Sequence, residues 1–273
     1  MPTIPLLPRL RVSDVAVMVM ASAKSSPGVS LAAYGLLHCW QRAIVGMELD
    51  ESGGTWAYRH GLSCEPGLAS LAATQQPLTL ALAAAHGHRV SELKAMVCAP
   101  KEGTIVRAAT GWLSERLLAW PEGDDLLVDL GRLRSGELDN VAALGRAEIV
   151  LLMTGTRPEE LASTASIVVD LAAAIRPTAA IHLLFVASGP YSADEAADAL
   201  NALVKRRIFR IAGSVPFDPK SARELSDGGR NAAKVASRWF AAIATELAAA
   251  TAHRTPVPSL GAQLLANSLN GAH

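Results

Sequence analysis

Residues 15–31, VAVMVMASAKSSPGVSL, constrain the chain more than any other stretch. Residues 15–21 are mostly branched or long and apolar, the short run expected of a strand buried on both faces. Residues 22–28, Ser22-Ala23-Lys24-Ser25-Ser26-Pro27-Gly28, are too polar and short-chained for a core. Residues 29–40 then carry Leu31, Leu36, Leu37 and Trp40 as an apolar helical stripe. A buried strand turning directly into a helix gathers backbone N–H groups at the helix N-terminus, a natural seat for an anion.

The phosphate-binding loop of this frame has the pattern G-x-x-x-x-G-K-[ST]. Laid on residues 23–30, the first glycine is Ala23, the second Gly28, the lysine Val29 and the hydroxyl Ser30. Half of the pattern is present, and the cation is missing.

Composition narrows the classes. With 273 residues, half of them hydrophobic, the chain can bury a large core and is not expected to be disordered. Lys+Arg equals Asp+Glu at 25 each, so attraction to nucleic acid or anionic lipid can come only from a local patch. Cys39, Cys64 and Cys98 share no metal-type spacing and are odd in number, and they read as reduced thiols of a cytoplasmic protein. His86-Gly87-His88 reads as a surface turn rather than a metal pair. No apolar run reaches the ~18 residues of a transmembrane helix. Residues 1–14 hold three prolines and lack the order of a signal peptide, so they are expected to be a lead-in.

Downstream the pattern alternates. Strands are expected over 43–49, 93–98, 125–130, 148–153, 180–187 and 208–212. Helices are expected over 55–61, 66–73, 78–85, 104–118, 158–175, 193–204, 219–227 and 230–250. Repeated strand–helix units imply an α/β fold: one P-loop NTPase-like domain over 15–250, a mostly parallel sheet with helices on both faces. Residues 251–273, with Leu260, Leu264, Leu265 and Leu269, are expected to be a short appended helix or a frayed tail.

Four chemistry-bearing places stand in order: the loop 23–30, the acidic turn 48–54, Asp129 at a strand end, and Val215-Pro216-Phe217-Asp218. Singly, Glu48 and Asp50 read equally as a polar turn, Asp129 as a solvated strand end, and Lys24 as an exposed loop lysine. Together they resemble the ParA/MinD family of deviant-Walker P-loop ATPases over roughly residues 15–250. The poor loop is similar to that of the family's Tad-pilus localisation (CpaE-like) members. The resemblance implies ATP and Mg2+ as cofactors and a homodimer. It implies Lys24 as the signature lysine that reaches the other subunit's nucleotide. Ser25, Ser26, Gly28, Val29 and Ser30 then line the phosphates, and Ser30 and Asp129 serve the metal. Asp50 orients the attacking water, and Pro216 and Asp218 lie near the adenine.

The departures have physical weight. Val29 in place of lysine removes charge-assisted bonds of roughly 1.5–3 kcal/mol each. Pro27 removes an N–H from the nest, and Ser25 and Ser26 lack glycine's freedom at positive φ. The expected function is therefore a spatial positioning or scaffold protein with weak or absent ATP hydrolysis. It would serve a secretion, pilus, conjugation or segregation machine, from the cytoplasm or recruited to a pole or a membrane-bound machine. A working hydrolase with a non-standard loop and a nucleotide-independent interaction module are the alternatives. Arg230, Lys234 and Arg238, with Lys220 and Arg223 upstream, form a basic stripe opposite Val235, Trp239, Ile243 and Leu247. It reads as a solvated face, with DNA binding as the sharper alternative. The tail leucines have no basic flanks, against a membrane-targeting helix.

Overall fold

The computed structural model describes residues 17–24, 28–121, 124–138 and 141–252. Ser25, Ser26 and Pro27 of the loop, the lead-in 1–14 and nearly all of the tail lie outside them.

The chain runs β1 (Val17–Ser22), α1 (Val29–Cys39), β2 (Ile44–Glu48), α2 (Trp56–His60), α3 (Leu68–Ala73), α4 (Leu80–Ala85), β3 (His88–Ser91) and β4 (Lys94–Val97). It continues through α5 (Gly103–Leu118), β5 (Asp125–Arg132), α6 (Ala142–Arg146), β6 (Ile149–Gly155), α7 (Pro158–Ala174), β7 (Ala180–Ala187), α8 (Ala193–Val204), β8 (Phe209–Pro216), α9 (Pro219–Ser226) and α10 (Ala232–Ala252). These strands form one sheet in the order β3-β4-β2-β5-β1-β6-β7-β8. Every pairing is parallel except β3 with β4.

Strand β1 is central and buried along its whole length, as its apolar run requires. Val17, Val19 and Ala21 face a core shared with α3, α5, α7 and α8, while Met18 and Met20 face a second core shared with α1, α9 and α10. Helix α1 lies against α10 at a close approach, where a Cβ on Gly35 would meet Phe240 Cδ2 at 2.3 Å. At the other end of the sheet edge, Asp125 opens β5 by accepting the Trp40 indole N–H (2.7 Å) and pairing with Arg42 (2.7 Å).

The expected elements are present, with corrections. Strand β3 and helix α6 were not anticipated. His88 lies in β3 rather than in a turn, and its Nε2–H donates to the Ser63 carbonyl (2.7 Å); His86 Nδ1 meets the Ser70 hydroxyl (2.9 Å). Strand β8 runs on from the expected end at Ala212 to Pro216, because a register shift at Gly213 (φ 146°) lets pairing with β7 resume. Helix α10 begins at Ala232, so Arg230 stands in the preceding turn and only Lys234 and Arg238 share the helix. Its opposite face, Val235, Trp239, Ile243 and Leu247, is buried as expected. Cys39 and Cys98 are buried free thiols, and Cys64 is exposed.

Candidate functional site

At the C-terminal ends of β1, β2 and β5, the edge at which open α/β sheets take ligands, lies a cleft of about 850 Å³. Gly28, Val29 and Ser30 form one wall, Asp50 and Ser52 a second, and Gly131, Arg132 and Leu133 a third.

The first wall is the start of α1. Gly28 takes a left-handed backbone (φ 87°, ψ 38°), and its carbonyl accepts the Ala32 N–H (2.9 Å), which opens the helix. Among the described residues no side chain caps this end, so no described cap takes the first-turn amides. Val29, in the lysine's place, is 6% exposed and belongs to the apolar core beneath α1. Ser30 is half-buried beside the cleft, and its carbonyl accepts the Trp56 indole N–H (2.9 Å), tying the loop end to α2.

Asp129 lies behind this wall. It is fully buried, Oδ1 accepts the Gly131 N–H (2.9 Å), and Oδ2 has no hydrogen-bond partner in the described residues. Burial pushes its carboxyl up to about 7; the facing Ser30 hydroxyl opposes the rise, Glu48 adds to it, the Gly131 amide opposes it and Asp50 adds to it. A carboxylate so placed is short of one positive partner. Magnesium held with the Ser30 hydroxyl is a group of the right charge and chemistry. The residues therefore fit a metal, and the cradle of α1 fits phosphate except at Val29.

Glu48 sits opposite Asp129 in register on β2 and is fully buried. The sequence left it as half of a polar turn. Instead one oxygen accepts the amides of Thr55 (2.5 Å) and Trp56 (3.1 Å), the other that of Ala99 (3.1 Å). Burial raises its carboxyl against those amides. Glu48 thus fixes the start of α2 and the end of β4. Asp50 is half-buried, accepts the Ser52 N–H (2.8 Å) on Oδ1 and borders the cleft.

Lys24 is exposed and makes no ion pair with the described residues. Pro216 and Asp218 do not line the cleft. They stand at the end of β8, three strands from β1, or about 14 Å across the sheet. Asp218 caps α9, accepting the amides of Lys220 (3.1 Å) and Ser221 (3.2 Å), and these bonds, with the Ser221 hydroxyl foremost, hold its carboxyl below the usual range. Arg238 donates to the Ser221 hydroxyl (2.7 Å) and lies 4.0 Å from Asp218, so that member of the basic stripe is engaged.

Four arginines around the cleft were not anticipated. Arg107 pairs with Glu51 (2.9 Å), Arg134 with Glu137 (3.9 Å), and Arg59 donates to Ser226 (2.7 Å). Arg132 is exposed, and no described residue pairs with its guanidinium. The one signal for it in the sequence was its place three residues after Asp129.

No protein-family profile matches the sequence, and no curated protein is significantly similar to it. The backbone is similar to that of a ParA family ATPase from Chlorobium tepidum, with TM-score 0.63 and 15% identity over 89% of this chain and 100% of that one. It is also similar to the cell division ATPase MinD of Pyrococcus furiosus, with TM-score 0.58 and 16% identity over 84% and 97%. A third likeness is to the septum site-determining protein MinD of Pyrococcus horikoshii complexed with Mg-ADP, with TM-score 0.56 and 16% identity over 84% and 95%. By its sheet order, its two helical layers and these likenesses, the chain has the P-loop fold of the ParA and MinD ATPases.

Proposed function

We propose that this protein is a ParA/MinD-type positioning protein that takes Mg-ATP weakly and turns it over slowly or not at all. The observation that carries the reading is the buried, half-partnered Asp129 facing Ser30 at the head of α1, with Val29 packed into the core between Gly28 and Ser30. The first two make a place for a metal and its phosphates; the third withholds the usual cation.

In this reading the free amides at the start of α1 receive phosphate oxygens. Ser30 and Asp129 would hold magnesium, which would supply positive charge beside the phosphates. Asp50 orients water, and Lys24 reaches toward a second copy of the chain in a homodimer. A bound magnesium nucleotide supplies the labile phosphoryl group and a reason for two subunits to close. Pro216 and Asp218 lie outside the cleft, so they would meet the base only where it extends past the cleft toward the end of β8. Ser25, Ser26 and Pro27, the remaining loop residues of this reading, lie outside the described residues.

A role in positioning is supported by the fold-level neighbours, which include a cell division ATPase and a plasmid partition protein of Borrelia burgdorferi. Among these neighbours a MinC:MinD complex from Aquifex aeolicus supports action with a protein partner. We place the machine served among pilus, secretion, conjugation and segregation systems. The poor loop favours a pilus or secretion scaffold of the Tad-localisation kind, reached from the cytoplasm. No described helix is long and apolar enough to cross a membrane.

Calorimetric titration with Mg-ATP tests this. Micromolar or weaker affinity is expected, reduced further in Asp129→Asn and tightened in Val29→Lys. A nanomolar dissociation constant in the wild type overturns the weak loop; no tightening in Val29→Lys overturns the intact cradle.

A further inference from the structure

Strand β5 carries a bulge at the cleft. Met20 of β1 faces Asp129, but two residues later Ser22 faces Arg132, three residues later on β5. The extra residue is accommodated at Leu130-Gly131, where Gly131 takes a left-handed backbone (φ 61°).

The bulge decides where Arg132 points. Along β5, Leu126, Val128 and Leu130 face the core of α5 and α7, while Leu127 and Asp129 face α1. Strict alternation would put Arg132 with Leu130, on the side away from the loop. The bulge puts it instead opposite Ser22, on the face of Met20 and Asp129, and it borders the cleft with Gly28, Val29 and Ser30. Its backbone is fixed there: Leu133 N–H donates to the Ser22 carbonyl (2.8 Å), while the Ser22 hydroxyl donates to the Lys24 carbonyl (3.0 Å) and has the Gly131 carbonyl at 3.4 Å. Ser22 is the last residue of β1, so Arg132 stands beside the point at which the loop leaves the sheet.

Of the four cleft arginines, Arg107 is bonded to Glu51 and Arg59 to Ser226, Arg134 lies 3.9 Å from Glu137 in an exposed pair, and Arg132 is the one with no partner in the described residues. We propose that Arg132 supplies, within the same subunit, the positive charge toward a nucleoside triphosphate that Val29 does not. The ligand class is a magnesium-bound polyphosphate. A planar guanidinium grips phosphate oxygens in pairs, which a lysine in the loop cannot do. The proposal rests on the reading of the cleft as a nucleotide site.

Binding of a fluorescent ATP analogue with Mg2+, competed by unlabelled ATP, ADP and inorganic tripolyphosphate, tests it. Arg132→Gln should weaken ATP and tripolyphosphate by about tenfold or more. Arg132→Lys should recover part of the loss. Val29→Lys placed on Arg132→Gln should restore binding, because a cation then returns from the other wall. Arg107→Gln, which frees Glu51 but leaves Arg132, should weaken binding far less. Unfolding curves that match the wild type establish that the variants are folded. Equal affinity in wild type and Arg132→Gln overturns the role of Arg132 and leaves the nucleotide site standing. No binding by the wild type or by Val29→Lys overturns both.

Discussion

Asp50 rests directly against Gly131: a Cβ on residue 131 would lie 2.0 Å from Asp50 Oδ2. Gly131 is therefore held to glycine twice, by its left-handed backbone and by the carboxylate on its Cα. Gly131→Ala is expected to cost about 1–3 kcal/mol and to push Asp50 out of the cleft wall. Denaturant unfolding measures the first, and loss of any ATP turnover with retained fold measures the second. Wild-type stability in Gly131→Ala rejects the contact.

Glu48 and Asp50, two residues apart, are expected to fail differently. Glu48→Ala leaves the amides of Thr55, Trp56 and Ala99 without their acceptor, a loss of about 3 kcal/mol or more. Asp50→Ala gives up a bond to Ser52 at the rim and should change stability by less than about 1 kcal/mol. Any hydrolysis should vanish in Asp50→Ala while Mg-ATP binding persists. Paired unfolding and turnover assays separate the two residues, and equal destabilisation would refute the assignment.

This pair also marks how far sequence alone reached. Strand β7 and helix α8 were legible to the residue. The first is an uninterrupted apolar run, and the second opens on Ser192, whose hydroxyl accepts the Glu195 amide (3.2 Å) while Glu195 returns to the Ser192 N–H (2.8 Å). Ser30, Asp50 and Asp129 were singled out because the apolar pattern put each at a strand or helix end; Ser30 and Asp50 do border the cleft, whereas Asp129 lies inside β5, which runs on to Arg132, and is fully buried. Glu48 was not, since its acceptor role exists only once α2 and β4 meet at the end of β2. Arg132 was hidden for a related reason: period-two alternation points it to the wrong face, and a one-residue bulge has no signature beyond a glycine. Strand β3, four residues at the sheet edge with half its side chains exposed, carries too little apolar pattern to announce itself.

Acid sensitivity is expected at His60. Its ring stacks on Tyr34 (centroids 3.9 Å apart), and His38 meets the same Tyr34 edge-on (4.8 Å). Burial, helped by the charges of His38 and Arg59 and opposed by Asp227, holds His60 down to about 4. The unfolded chain takes up the proton near pH 6.5 and the folded one only near 4, so stability falls as pH drops through that window. His60 is only half-buried, so the slope should be well under about 1.4 kcal/mol per pH unit. Asp129 runs the opposite way, losing stability as pH rises toward 7, so the reading is the difference between wild type and His60→Gln across pH 4–7. A difference that does not vary with pH rejects the prediction.

The basic stripe is expected to be a solvated face. Arg238 is engaged by Ser221 and Asp218 and lies over Trp239 (5.8 Å), and Arg230 precedes the helix, which leaves Lys234 alone on α10 without such contacts. Filter binding of DNA at low salt should show little retention. It should change little in Arg230→Glu, Lys234→Glu, Arg238→Glu. Clear binding that this triple change removes, with log affinity falling about 0.9 per phosphate contact per log unit of salt, would move the protein to the segregation side.

The seat of Phe240 on Gly35 has a mechanical meaning. The ring occupies the space that any side chain on residue 35 would need, and it is 1% exposed. Packing of this density leaves no clearance for one helix to slip along the other. Helix α1, whose first residues border the cleft, and helix α10, which carries Lys234 and Arg238, are therefore keyed together at this point. Any shift of α1 along α10 has to displace the Phe240 ring, so residue 35 is where the spacing of the two helices is set.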